Sequence, residues 1–207
     1  VVKKAALSFS GGKDSCLALH KLDEQGVQVT WLVTTVWKKS HRTVAHDQKR
    51  QLILEQADRI GLPVYIIETD FETYTGDFVA ALKKLREDYG VDGAAFGDIY
   101  LEGHREWGEQ VARAAGVEAI YPLWTERENV VRLLREFVSH GFDAEVIKVD
   151  KDRLPESWVG RKVDESFVED ILLYDDVCPM GESGEYHTAV MDGPMFGKGL
   201  REDNRKG

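Results

Sequence analysis

Apolar and polar residues run along the chain in two alternating rhythms. Residues 5–9 form a short apolar run that ends at Ser10 and two glycines, the pattern of a buried strand feeding a tight turn. From residue 14 to about 25 the spacing becomes helical, with Ser15, Ala18, Leu19 and Leu22 on one face and Gly26 as a stop. The exchange repeats with a Val- and Thr-rich strand over 29–36 and a helix over 46–60 through Leu52, Ile53, Gln56, Ala57 and Ile60. Gly61 and Pro63 close that helix, and a third strand follows over 64–67. Phe78, Ala81, Leu82 and Leu85 mark another helix before a strand at 93–96, and a helix from about 106 to 115 leads to a fifth strand at 119–121. Strand–helix units of this length require crossover connections. The predicted fold class is therefore α/β, a doubly wound parallel five-stranded sheet with helices on both faces.

After Trp124 the texture changes. Thr125 and Glu128 are spaced as a capping box, opening a helix through Val130, Leu133, Leu134 and Phe137 that ends near Gly141. Residues 144–149 read as a strand, 165–172 as a short helix and 187–191 as a final strand. The expected division is a first unit over 1–124 and a smaller C-terminal α+β lobe over 125–207. The charged, glycine-rich tail 197–207 is expected to fray.

Composition narrows the partners. The 207 residues carry 27 Lys plus Arg against 37 Asp plus Glu, a formal charge of −10, with 43% hydrophobic and 31% charged residues. That is a globular composition, not a disordered one. The acidic excess repels phosphate backbones, and the basic clusters Lys38-Lys39, His41-Arg42 and Lys49-Arg50 are modest, so nucleic acid is not expected as a partner. No apolar run approaches the roughly 18 residues of a membrane span. The opening stretch VVKKAALSF passes straight into glycines and charges, so no export signal is expected. Cys16 and Cys178 lie far apart and form no C-x-x-C pair, and a reducing cytoplasm is the expected location.

The chemistry concentrates in Ser10, Gly11, Gly12, Lys13, Asp14 and Ser15, between the first strand and the first helix. Two glycines let the backbone turn tightly and bring bare N–H groups to a ligand, while the helix start adds partial positive charge. An anion suits such a turn. A P-loop is excluded, because glycine would be needed at Leu7 and Ser or Thr at Asp14. Asp14 would repel a polyphosphate unless a divalent cation lay between them, which makes it a candidate ligand for Mg²⁺. Lys13 is placed to neutralise phosphate. Ligands of an open parallel sheet sit at the carboxyl ends of its strands, which puts Thr34, Thr35, Asp70 and the Gly97-Asp98 turn near a nucleotide.

The string SGGKDS after a strand resembles the PP-loop of the N-type ATP pyrophosphatases. A second string, GESGEYHT over 181–188, joins Trp158-Val159-Gly160-Arg161 to complete a resemblance to the diphthine-ammonia ligase family, also called diphthamide synthases, along almost the whole chain. The resemblance implies an adenine nucleotide alpha hydrolase-like, Rossmann-like fold and an ATP-dependent, AMP-forming amide ligase. ATP would adenylate a carboxylate and ammonia would displace AMP. The carboxylate would belong to diphthine, a modified histidine of elongation factor 2, or to a small acid. Ser10 to Ser15 would hold pyrophosphate, the backbone around Val33, Thr34 and Thr35 would receive adenine, and Asp14 and Asp98 would position Mg²⁺. His46, expected to open a helix, would face the nucleotide, and Arg105, beside His104, would reach phosphate with its planar fork.

The expected substrate wall consists of Glu182, Gly184, Glu185, Tyr186, His187 and Thr188, with Trp158 and Arg161. Glu182 and Glu185 would orient substrate or ammonia. Trp158, Tyr186 and Trp124 offer aromatic faces that suit a trimethylammonium group. Three other readings stay open: the same chemistry on a different small carboxylate, a non-catalytic nucleotide sensor, and a tRNA-thiolating enzyme using a persulfide on Cys178. A homodimer is also left open.

Overall fold

A computed structural model describes residues 1–197; most of the tail expected to fray lies outside them. Five parallel strands, β1 (Lys4–Ser8), β2 (Gln28–Trp37), β3 (Val64–Thr69), β4 (Gly93–Ala95) and β5 (Glu118–Ile120), form one sheet in the order β3-β2-β1-β4-β5. Four helices alternate with them: α1 (Lys13–Glu24), α2 (Arg50–Ile60), α3 (Tyr74–Tyr89) and α4 (Glu102–Ala115). The two-residue period of each strand sorts the core. Leu7, Leu32 and Ala95 face one apolar cluster with Leu17, Leu22, Ile53 and Ala57 of α1 and α2. Their neighbours Ala6, Val33 and Ala94 face a second cluster with Phe78, Leu82, Leu85, Val111 and Ala112 of α3 and α4. The strand order reverses between β1 and β4, which opens a crevice at their carboxyl ends.

The rest of the described chain forms α5 (Val130–Ser139), α6 (Glu165–Ile171) and a two-stranded antiparallel sheet of β6 (Asp143–Val149) and β7 (Tyr186–Asp192). Its apolar side chains, Leu134, Phe137, Phe167 and Tyr186 among them, belong to the same cluster as α1 and α2. The core therefore runs without interruption from one face of the large sheet into the C-terminal segment.

Three local expectations need correction. The second helix begins at Arg50, not at residue 46; residues 38–49 form an arm closed by antiparallel bridges between Val36 and Thr43 and between Arg42 and Lys49. Ala45 and Asp47 there adopt left-handed backbone at φ 45° and 51°, and the Thr43 hydroxyl accepts the Gln48 amide. Helical apolar spacing starts only at Leu52, so nothing held residues 46–49 in a helix. Helix α4 starts four residues earlier than expected because its first turn, EGHR, is polar and leaves no mark in the apolar period. The Thr125–Glu128 capping box does not form. Thr125 donates its amide to the Ile99 carbonyl, and a 3₁₀ turn, Arg127–Asn129, leads into α5. Asp164 instead caps α6, its carboxylate accepting the Phe167 amide at 2.9 Å.

Phe137 is fully buried and stacks on Phe142 with ring centroids 4.6 Å apart and planes within 2°. Phe137→Ala is expected to cost about 3 to 5 kcal/mol of unfolding free energy, read as a fall in the urea midpoint at unchanged slope.

Candidate active site

The turn after β1 is built by contacts with the C-terminal segment as much as by its own glycines. Gly11 sits at φ +78°, and a Cβ there would lie 2.4 Å from Oε1 of Gln56, so glycine meets both the backbone and the space requirement. The Gly11 carbonyl accepts two donors, the Val190 amide of β7 at 3.0 Å and the Gln56 side-chain amide at 3.0 Å. Gln56 also donates to the Val190 carbonyl at 2.8 Å. The Lys13 amide donates to the Thr188 hydroxyl at 2.9 Å, and Ser15 donates its hydroxyl to the Gly12 carbonyl. Gln56 was visible in the sequence only as an amide on an apolar helix face.

These contacts border a cleft of about 600 Å³ at the carboxyl ends of the strands. Ser10, Lys13, Asp14 and Ser15 line it from the turn, and Val33, Thr34 and Thr35 from β2. Gly97 and Asp98 line it after β4, and Glu182, Gly184, Tyr186, His187 and Thr188 from the C-terminal segment. Gly11 and Gly12 lie behind this wall. Gly97 packs on the Asp14 backbone, where a Cβ would come within 3.3 Å. The arm over 38–49 brings the expected His46 into the cleft and adds Thr43, Val44 and Ala45, and α3 adds Tyr74, none of these four foreseen. No apolar period or turn signal marks these positions.

Several expected residues are placed elsewhere. Arg105 pairs with Glu109 at 3.0 Å and lies against the rings of Tyr121 and Trp124, outside the cleft. Trp158 is buried against Phe167 and Tyr174, and one ring face is covered by Arg161, whose guanidinium lies 4.5 Å from the ring centroid. Arg161 is itself paired with Asp170. Neither Trp158 nor Arg161 reaches the cleft, so the aromatic face proposed for a ligand cation is filled from within the chain. Glu185 is 2% exposed, and its carboxylate accepts the amides of Cys178 and Ser183 at 2.6 and 2.8 Å. It holds the 178–185 loop and does not face the cleft. Asp70 ties down Thr73 and pairs with Lys38 at the surface. Cys16 and Cys178 are both buried and unpaired.

Inside the cleft the electrostatics are unbalanced. Burial raises the Asp14 carboxyl above its ordinary value, opposed by the neighbouring Lys13 ammonium 3.2 Å away. Lys13 is buried, donates to the Met180 carbonyl and lies 4.6 Å from the Tyr186 ring centroid, so its charge points into the seam between the segments. Burial, with Asp14 and Asp98 adding to it, pushes the Glu182 carboxyl up to about 7, against the Ile99 amide it accepts at 2.9 Å. His104 shares a hydrogen bond with Asp98 at 3.1 Å, which raises its pKa. Donor atoms of Asp98, His104 and Glu182 lie within 4.8 Å of one another. The carboxylates of Asp14, Asp98 and Glu182 offer the oxygen donors that a hard cation such as Mg²⁺ takes, and the raised Asp14 and Glu182 carboxyls mark a place short of positive charge.

His46 and His187 meet at 4.5 Å between ring centroids. Burial lowers both to about 4, helped for His46 by Lys13 and for His187 by His46. Folded pKa values below the unfolded value mean that stability is present above about 6.5 and is lost as pH falls through about 4. His46→Gln is accordingly expected to remove its share of that acid sensitivity, up to about 3 kcal/mol. The check compares urea midpoints at pH 7.5 and 4.5; equal acid loss in wild type and variant contradicts the assignment.

Among the described residues no helix is long and apolar enough to cross a membrane. The family model described as "Diphthamide synthase N-terminal domain" matches residues 2–119, and "Diphthamide synthase C-terminal domain" matches residues 129–206. The chain is 29% identical over 216 residues to the diphthine–ammonia ligase of Danio rerio, covering 92% of this chain and 82% of that one. It is 27% identical over 226 residues to that of Homo sapiens, covering 97% and 83%. To that of Schizosaccharomyces pombe it is 26% identical over 92% of this chain and 34% of the relative.

Proposed function

The chain belongs to the diphthamide synthase family, and on that premise we propose that its cleft splits ATP to AMP and pyrophosphate while joining ammonia to a substrate carboxylate. The reading rests on one observation above the others. Asp14 and Asp98 from the first family segment and Glu182 from the second line one cleft beside a glycine turn at a helix start, and burial raises the Asp14 and Glu182 carboxyls there. The units proposed are an ATP-binding region over 1–124 and a substrate-binding lobe over 125–207. The acyl substrate is a carboxylic acid, either diphthine on elongation factor 2 or a small acid.

In the first step a carboxylate oxygen of the substrate bonds to the α-phosphorus of ATP as the bond to pyrophosphate breaks. In the second, ammonia adds to the acyl carbon, AMP leaves with the bonding pair, and the nitrogen loses a proton. In the first turn of α1 the Lys13 amide is taken by Thr188, and the Asp14 and Ser15 amides, which helix geometry leaves without intrahelical acceptors, would face the departing pyrophosphate with the Ser10 and Ser15 hydroxyls. Asp14, Asp98 and Glu182 would hold Mg²⁺, which supplies charge neutralisation to the polyphosphate when bound. Backbone around Val33 to Thr35 borders the space for adenine. The neutral His46 and His187 rings offer acceptors for the proton that nitrogen loses; Nδ1 of His46 is buried without a partner. Cys178 is buried beside the Glu185 anchor, which favours the amide reaction over a persulfide carried on that residue.

The full chain incubated with ATP, Mg²⁺, ammonium and a panel of acids that includes diphthine-bearing elongation factor 2 is expected to release AMP and pyrophosphate in an acid-dependent way. Release of ADP alone overturns the reading. Asp14→Asn should slow AMP formation by on the order of a hundredfold while leaving the circular dichroism spectrum unchanged.

A Cβ at Gly12 would lie 2.7 Å from Cε1 of His46 and 3.0 Å from the Thr188 carbonyl. Gly12→Ala is therefore expected to weaken ATP binding by about tenfold, or about 1.4 kcal/mol, measured by equilibrium dialysis.

A further inference from the structure

A second titratable cluster lies at the opposite end of α1 from the cleft. His20 and Glu24 stand one turn apart in the last turns of α1, facing His140 at the C-cap of α5. One donor atom from each of the three lies within 4.8 Å of the other two. The rings of His20 and His140 meet edge to face with centroids 4.2 Å apart. Both ring nitrogens of His20 are shielded from solvent and make no hydrogen bond, with Nε2 held 3.5 Å from Oε1 of Glu24. Ring nitrogens shielded from water and left without a hydrogen bond are unfavourable unless something else occupies one of them. Glu136 stands 3.7 Å from Nε2 of His140 and is fixed by Lys21 at 2.7 Å. Such an outer carboxylate is the kind that orients a ligating histidine.

We propose that His20, Glu24 and His140 bind a divalent transition-metal ion of the Zn²⁺ class, pinning the last turn of α1 to α5. Two imidazoles and one carboxylate form a borderline donor set, which Zn²⁺, Co²⁺ or Ni²⁺ takes in preference to Mg²⁺ or Ca²⁺. The side chains are 17%, 53% and 27% exposed, so an ion can enter without unfolding the seam. Helix rise separates His20 from Lys13 by about 10 Å, which keeps this site distinct from the carboxylates of the cleft. The ion would act as a brace, because α1 carries the anion-binding turn at its first turn and the proposed ligands at its last.

The full chain, stripped with a chelator and then supplied with excess Mg²⁺, is titrated with Zn²⁺ by calorimetry and with Co²⁺ by visible absorption. The expected result is about one equivalent of Zn²⁺ bound at micromolar affinity, with a four-coordinate Co²⁺ spectrum and a raised melting temperature. His140→Ala and Glu24→Gln should each weaken that equivalent by at least about tenfold. Glu24 is exposed, so its variant keeps the test valid if removing His140 disturbs packing. His104→Ala, in the cleft cluster, should retain the equivalent. Binding weaker than about 100 µM in the wild type overturns the proposal. So does an equivalent that both cluster variants retain, or one lost only in His104→Ala.

Discussion

The site depends on hydrogen bonds made by two backbone groups of one turn. The Gly11 carbonyl and the Lys13 amide could both have faced a ligand, yet both are bound by groups outside the turn: Val190 and Thr188 from β7, and Gln56 from α2. Each contact is buried, so losing a partner would leave a polar group unsatisfied at a cost of about 1 to 3 kcal/mol. The turn is thereby held rigid before any ligand arrives. Preorganisation of this kind lets backbone dipoles act on a leaving group without first being reoriented.

The same seam decides where charge is available. The Lys13 ammonium is buried against Met180, Asp14 and Tyr186, which leaves little positive charge facing the cleft from the turn itself. Asp14, Asp98 and Glu182 line the same cleft, and the reluctance of Asp14 and Glu182 to ionise reflects the electrostatic deficit that a divalent cation would fill. Glu182 and Glu185, three residues apart in one string, serve different ends. Gly184, at φ +84°, turns the chain between them so that one carboxylate enters the cleft and the other anchors the loop.

The sheet was legible because each strand carries an apolar run bounded by glycine, proline or a polar turn, and because its helices announce themselves by period. Polar stretches without apolar anchors were misread, as at 46–49 and in the first turn of α4. The glycine turn could be read directly from SGGKDS, since few other uses exist for that spacing beside a strand. Its buttress could not, because the contact between Lys13 and Thr188 spans 175 residues and leaves no local pattern. Trp158 shows the limit of composition: an aromatic face near a cation is evident in the sequence, but whether that cation is a ligand or Arg161 is a question of packing.

The long span between turn and buttress also orders events during synthesis. In a growing polypeptide Gln56 can reach the Gly11 carbonyl early, but the partner of the Lys13 amide and the second donor to Gly11 wait until residues 188–190 have emerged from the ribosome and β7 has docked. The geometry of the turn is therefore completed late, after every strand of the large sheet has been synthesised. Until then the turn lacks the half of its buttress that β7 supplies.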